Sequence, residues 1–138
     1  MTITKRVLST PARLCTWVFG AALLATAAVS AQAQAAYPAK PIRLIVPFPP
    51  GGGTDMIARS VAQKITEKTS WNIVVDNRPG AGGNLGVDAA AKSMPDGYTL
   101  VMGQTSNLAI NPASYKKLPY DPLKDLAPVT NLLRVPLV

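Results

Sequence analysis

Apolar residues recur along this chain in two rhythms. Ile42-Arg-Leu-Ile-Val46 is apolar on both sides of a two-residue alternation apart from Arg43. That is the pattern of a buried, parallel strand. After a loop the rhythm lengthens. Ile57, Val61 and Ile65 recur every four residues, with Ala58 and Ala62 beside them. This predicts a helix capped by Gly53 or Thr54 and running to about Thr69, with Lys64, Glu67 and Lys68 on its wet side or near its end. Trp71-Asn-Ile-Val-Val-Asp76 reads as a second strand, and residues 77–83 as a loop that regular structure cannot hold. Residues 84–93 read as a second helix with Leu85, Ala89 and the stem of Lys92 facing in. Pro95-Asp-Gly97 is a tight turn, since Pro sets φ and Gly accepts positive φ. Tyr98-Thr-Leu-Val-Met102 is a third strand, followed by a loop over residues 103–107. Residues 110–124 are Pro-rich and irregular with room for one helical turn, and residues 127–138 are β-like but broken by Pro128 and Pro136. Strands alternating with helices predict an α/β domain with a parallel sheet and right-handed crossovers.

The first 35 residues follow a different logic. Lys5, Arg6 and Arg13 precede an uncharged run of 16 residues, 14–29, and then comes a small polar tail holding Ala33-Gln34-Ala35. This is the layout of a secretory signal peptide. A membrane anchor is the alternative, but the run is short against the roughly 20 residues a span needs, and an anchor has no use for an Ala-x-Ala tail. The expected domains are therefore a signal peptide over 1–35 and an incomplete first α/β domain over 36–138. The chain stops in an apolar stretch, which reads as an amino-terminal piece of a longer protein.

Export changes the charge and the chemistry. Without the three basic residues of the leader, 11 Lys and Arg face 7 Asp and Glu, or +4 instead of +7. The charges are scattered, and no basic cluster with interleaved aromatics points to nucleic acid. The one cysteine, Cys15, lies in the leader, and the chain has no His. Residues 36–138 thus offer no disulfide, no His or Cys zinc ligands and no His or Cys catalysis. An exported chain without disulfides suits a bacterial periplasm.

In an open parallel sheet, ligands bind beyond the carboxyl ends of the strands. Three loops belong there. The first holds Phe48, Pro49, Pro50, Gly51, Gly52, Gly53, Thr54 and Asp55, and the second Gly80, Ala81, Gly82 and Gly83. The third holds Gln104, Thr105 and Ser106. Glycine lets backbone N–H groups approach a ligand, a helix start leaves such groups without partners, and prolines limit how far a loop wanders. The plain alternative is that Gly and Pro only make tight βα turns; two such loops at adjacent strand ends favour binding. Asp55, in the first helical turn, either complements the macrodipole or faces a ligand that carries an amino group or hydroxyl. Phe48 is either a lid over the core or an apolar wall. Arg78 pairs with Asp76 or Asp88 in preference to a ligand. Pro50-Gly-Gly-Gly-Thr54 lacks the Lys of a phosphate-binding loop. Gly80-Ala-Gly-Gly-Asn-Leu-Gly86 has its last glycine one residue late for the dinucleotide fingerprint, follows the second strand, and has no acid about 20 residues on.

Five motifs in order carry a resemblance: Pro38-Ala-Lys-Pro-Ile-Arg-Leu-Ile-Val-Pro-Phe-Pro-Pro-Gly-Gly-Gly-Thr-Asp55, Asp76-Asn-Arg-Pro-Gly-Ala-Gly-Gly83, Pro95-Asp-Gly-Tyr-Thr-Leu100, Ala109-Ile-Asn-Pro112 and Leu118-Pro-Tyr-Asp-Pro122. Together they resemble the periplasmic solute-binding proteins of tripartite tricarboxylate transporters, the Bug (TctC-like) family. The resemblance implies one parallel-sheet domain of a type II periplasmic binding protein (Venus flytrap), with the second domain missing. It implies a small carboxylate ligand, di- or tricarboxylate or amino acid-like, held at the three loops by backbone groups and waters. It also implies membrane transporter subunits as partners, no cofactor, no metal, and a monomer when intact. The rival expectations are an exported α/β enzyme acting on a small acid and a non-functional truncated product.

Overall fold

The computed structural model describes residues 36–134. The signal-peptide reading of residues 1–35, and residues 135–138 of the expected last strand, lie outside the described residues. Strand β1 (Ile42–Val46) is the middle of a three-stranded parallel sheet, flanked by β2 (Ile73–Asn77) and β3 (Thr99–Val101). Its central place explains its composition. Ile42, Leu44, Ile45 and Val46 are all buried. Arg43 is tolerated because its guanidinium reaches Asp76, diagonally across on β2, at 2.8 Å. The ladder runs on past both neighbours: Arg78 N–H donates to the Val46 carbonyl and Met102 N–H to that of Ile45.

Helix α1 (Gly53–Thr69) follows β1, and α2 (Asn84–Ala91) follows β2. The two crossovers run in opposite directions from a 2-1-3 strand order, so right-handedness sets the helices on opposite faces. On the α1 face Leu44, Val46, Ala58 and Met102 form the core, with Phe48, Ile57, Ile73, Val75 and Leu100 packed around it. The expected stripe is therefore shifted. Ala58 and Ala62 are the deepest apolar positions of α1, while Ile57, Val61 and Ile65 are half-buried. Two alanines let the helix axis approach the sheet, and the branched side chains flank the contact.

The inward face of α2 also differs from expectation. Asn84, Gly86 and Val87 are buried, Leu85 is 56% exposed, and Lys92 pairs outside with Asp88. A 3₁₀ turn over Ala81–Gly83 runs directly into α2 and sets its rotation, turning Gly86 toward Pro47 and folding Leu85 back onto Gly80. Asn77, expected in the loop, instead closes β2 opposite Val46. After β3, the expected loop over 103–107 becomes helical from residue 105, as a π-helical turn (Ser106–Ile110) continuing into α3 (Asn111–Ser114). Residues 126–134 join no ladder: Pro128 lacks a donor, and Val129, Leu132 and Leu133 lie exposed.

At the amino ends of the strands, Tyr37, Trp71 and Tyr98 cluster, with ring centroids 5.7 Å apart for Tyr37–Trp71 and 4.9 Å for Tyr37–Tyr98. Lys40 lies over Tyr98 and pairs with Asp96. This clasp fastens residues 37–41 to the end of the sheet opposite the three loops.

Candidate ligand-binding site

The three loops leave the carboxyl ends of β1, β2 and β3 and meet there. In the first, Pro47 is fully buried and Phe48 half-buried against Leu44 and Val46, so Phe48 belongs to the core as well as to the loop. Pro49, Pro50, Gly51, Gly52 and Gly53 are exposed and Thr54 is half-exposed. In the second, Ala81 and Gly82 are exposed while Gly80 is partly and Gly83 fully buried. In the third, Gln104 and Ser106 are partly buried and Thr105 exposed.

Two contacts join the loops. The Gln104 amide donates to the Thr54 hydroxyl, linking the third loop to the first turn of α1. Gly83 sits where the loops converge. A side chain there would meet the Asn107 amide at 2.7 Å, the Phe48 ring at 3.2 Å and Pro47 at 3.5 Å, and its φ of +90° already favours glycine.

Asp55 is the centre of the first loop. It is 3% exposed, and both its oxygens are engaged within the chain. Oδ1 accepts from the Asn77 side chain at 2.9 Å; Oδ2 accepts from Gly51 N–H and from Arg59 Nε, both at 2.9 Å. Asn77 completes the arrangement by donating to the Phe48 carbonyl and accepting from Arg59 Nη2. A third-position acid reaching back to the loop N–H resembles a capping box. It leaves the rest of the helix start open: Gly52 caps without a side-chain bond, and the first helical bond runs from Met56 N–H to the Gly52 carbonyl. The N–H groups of Gly53, Thr54 and Asp55 precede that bond and face the loop crest.

Every arginine near the crest has an acid. Arg43 and Arg78 both hold Asp76, at 2.8 and 3.0 Å, as expected for Arg78. Arg59 holds Asp55. What remains for a ligand is neutral: backbone N–H groups, Thr54 and Gln104, while the Ser106 hydroxyl oxygen is buried without a partner. Among the described residues no group of His, Cys, Asp or Glu is arranged to hold a metal ion, and no helix is long and apolar enough to cross a membrane.

Beneath the crest lies a buried polar network that sequence reasoning missed. Asn111 Nδ2 donates to Asn84 Oδ1 at 2.6 Å, and the Tyr120 hydroxyl stands between Asn84 Oδ1 (2.9 Å) and the Asn107 carbonyl (2.6 Å). Asn107 is 0% exposed and accepts from Gln104 N–H. Four loop-region residues thus bolt the second and third loops together. The arginine of the Asp55 latch was missed too, although its i,i+4 spacing from Asp55 is a readable signal. The asparagines carry no such signal, because a buried amide and a surface amide look alike in a sequence.

The paired carboxylates set the acid response. Arg59, then the Gly51 N–H and the Asn77 amide, hold the Asp55 carboxyl well below the usual range, against the opposing effect of burial. For Asp76, burial pushes upward, but hydrogen bonds from Arg78 and Arg43 outweigh it and the carboxyl is lowered. A depressed folded-state value contributes stability that is present above the unfolded value, near 4, and lost as pH falls through the folded one. Urea denaturation midpoints should therefore be level above about pH 5 and fall below about pH 4, with a shallower fall for Asp55→Asn. Equal slopes for wild type and variant would remove Asp55 from this account.

The comparisons with known proteins agree in kind. Residues 57–138 match the family model described as the tripartite tricarboxylate transporter family receptor. The protein BugT of Bordetella pertussis is 48% identical over 117 residues, 83% of this chain and 36% of BugT. Among solved structures, one described as a periplasmic transporter is 53% identical with a TM-score of 0.62, covering 64% of this chain and 30% of that one. A Rhodopseudomonas palustris protein solved with adipate is 39% identical (TM-score 0.60; 63% and 29% covered). MatC from the same organism, solved with bound malate, is 35% identical (TM-score 0.61; 64% and 30% covered). The chain spans about a third of the length of the curated relatives it matches.

Proposed function

Because the chain belongs to the tripartite tricarboxylate transporter receptor family, we propose that it captures a small carboxylate at the three-loop crest as a periplasmic solute-binding component of carboxylate uptake. The observation that carries this reading is the convergence of free N–H groups at the start of α1 with the side chains of Thr54 and Gln104, which already touch. A carboxylate is well served by several neutral donors; hydrogen bonds to a charged group are stronger than those between neutral partners. The relatives solved with malate and adipate support the ligand class.

In this account Phe48, Pro49, Pro50, Gly51, Gly52, Gly53, Thr54, Gly80, Ala81, Gly82, Gly83, Gln104, Thr105 and Ser106 form one wall of the ligand cleft, and Asp55 holds the first loop in shape. No bond is made or broken in the ligand. A second lobe of the full receptor supplies the opposite wall, closes on the ligand, and presents the closed form to membrane subunits. The leader expected over residues 1–35 delivers the protein to the periplasm. The rival reading as an exported enzyme needs a nucleophile–base pair, and residues 36–138 hold neither His nor Cys.

Thermal-shift titration with malate, adipate and citrate tests the proposal, with the diamide of adipic acid as an uncharged control. At 100 times its Kd a ligand stabilises by about 2.7 kcal/mol, which raises Tm by several degrees. The expected result is a shift with at least one acid and none with the diamide. No shift with any of the acids at millimolar concentration sinks the carboxylate reading.

A further inference from the structure

We propose that the Asp96–Gly97 bond is a site of spontaneous isoaspartate formation in this protein, and that the Lys40 ion pair restrains it. The proposal is independent of the receptor reading above. In this reaction the Gly97 backbone nitrogen bonds to the side-chain carboxyl carbon of Asp96. The hydroxyl on that carbon leaves as water with the nitrogen's proton, and a five-membered succinimide closes. Water then opens the ring. Attack at the side-chain carbonyl restores aspartate. Attack at the main-chain carbonyl breaks the original peptide bond and routes the backbone through Asp96 Cβ. The mass of the chain is unchanged, and no oxidant or reductant is needed.

Asp96–Gly97 is the one place in the chain where Asp or Asn precedes Gly. With no Cβ on the attacking residue, nothing crowds its approach to the carboxyl carbon. Both residues are exposed in the Pro95-Asp-Gly97 turn, outside helix and strand, and Gly97 has a φ of +79°. The other aspartates lack this combination. Asp55 and Asp88 lie in helices and Asp76 in β2, where the backbone is fixed. Asp121 precedes Pro122, whose nitrogen has no proton to lose, and Asp125 precedes the branched Leu126.

The Asp96 carboxyl is nevertheless guarded. Oδ1 accepts from the Tyr98 N–H at 3.0 Å, and Oδ2 accepts from Lys40 Nζ at 3.0 Å. The Tyr98 N–H, then Lys40, hold this carboxyl below its ordinary range. An ionised carboxylate has no hydroxyl to lose, so the contacts that favour it slow ring closure. The product would matter to the clasp. A β-linked backbone is longer by one carbon at this point. There Tyr37 Oη donates to the Gly97 carbonyl at 2.7 Å, and Ala39 N–H donates to the Tyr98 hydroxyl at 2.8 Å. Isomerisation therefore loosens residues 37–41 from inside the turn.

The test is prolonged incubation of the full-length protein at mildly acidic pH and physiological temperature. Peptide mapping by electron-transfer mass spectrometry then distinguishes the two linkages. Isoaspartate is expected at residue 96 ahead of every other aspartate. Lys40→Met should form it several-fold faster than the wild type. Lys40→Arg, which keeps the charge, should stay near the wild-type rate. In all three proteins the rate should rise as pH falls from neutral, in step with protonation of the carboxyl. If residue 96 keeps its α-linkage in Lys40→Met while an isolated peptide of residues 93–99 isomerises, the folded turn bars ring closure and the proposal fails. Isoaspartate appearing first at another aspartate of the wild type overturns it as well. Equal rates in wild type and Lys40→Met, or equal rates in Lys40→Arg and Lys40→Met, remove Lys40 from the account. So does a parallel rise at Asp88 and Asp125 in Lys40→Met, which would mark general loosening of the fold.

Discussion

Replacing Gly86 by alanine should lower the free energy of unfolding by about 3 kcal/mol, near the upper end for overpacking a core position. The added methyl would lie 2.6 Å from Pro47 Cβ, 2.7 Å from Pro47 Cα and 2.9 Å from the Arg78 carbonyl oxygen. Two of these three atoms are backbone, and the third belongs to a ring that cannot rotate away. Pro47 is fully buried and stands at the end of the central strand. Relief therefore requires α2 to lift off the sheet, and α2 carries Asn84 and follows directly on Gly83. Gly53→Ala is the control: its methyl would meet nothing within 4 Å, and the change should stay within about 0.5 kcal/mol. Both are read from urea denaturation. If the two substitutions cost the same, the close approach of α2 to Pro47 is wrong.

Asn84→Ala comes next, at about 2.5 kcal/mol. Asn84 Oδ1 receives both the Asn111 amide and the Tyr120 hydroxyl in a buried setting. Truncation leaves the buried Asn111 amide with only a long contact, 3.4 Å to the Gly82 carbonyl; a poorly satisfied buried donor costs about 1–3 kcal/mol, and the change adds a small cavity. Tyr120→Phe should cost about 1 kcal/mol, because the Asn107 carbonyl loses its partner while Asn84 keeps Asn111. The double variant tests whether these residues act as a unit. Its cost should fall short of the sum of the two by about 0.5 kcal/mol or more. Strict additivity would mean that the network is a set of independent bonds.

Much of the frame was legible in the sequence, and the reasons differ from element to element. β1 announced itself because a strand buried on both faces must be apolar on both, and Arg43 was the single exception with a partner within reach. α1 was legible from its four-residue period, but not which side of that period lay deepest. Periodicity registers large apolar residues, whereas close helix-on-sheet packing prefers the small ones, Ala58 and Ala62. α2 was found and its face misjudged for a related reason. Gly86 carries no hydrophobic signal, yet it makes the tightest contact on that helix. The last expected strand failed for want of a partner: apolar, β-prone residues form a strand only where a ladder and a covering surface exist, and residues 126–134 have neither among the described residues.

The site divides along the same line. The three loops could be placed because strand topology dictates where ligands meet a parallel sheet. That they touch, through Gln104 and Thr54 and around Gly83, is tertiary information. The motifs that carried the family resemblance acquire separate physical meanings. Asp55 and Asn77 shape the first loop, with Arg59 as their unforeseen third member. Asn111, in the Ala109-Ile-Asn-Pro112 motif, and Tyr120, in the Leu118-Pro-Tyr-Asp-Pro122 motif, are buried and brace the other two loops from below. Motif strength therefore marks the scaffold beneath the loops as much as the loops themselves.

The aromatic clasp has an optical consequence. Trp71 is the one tryptophan of residues 36–138, and its indole stands edge-on to Tyr37 at the amino ends of the strands, 37% exposed. Its emission should register the loosening of residues 37–41 and the melting of the sheet, while a ligand held at the proposed three-loop crest, at the far end of the strands, is expected to leave it unchanged. Intrinsic fluorescence from this segment is a gauge of folding, and a reporter for the proposed site has to be placed by hand, on the crest side of the sheet.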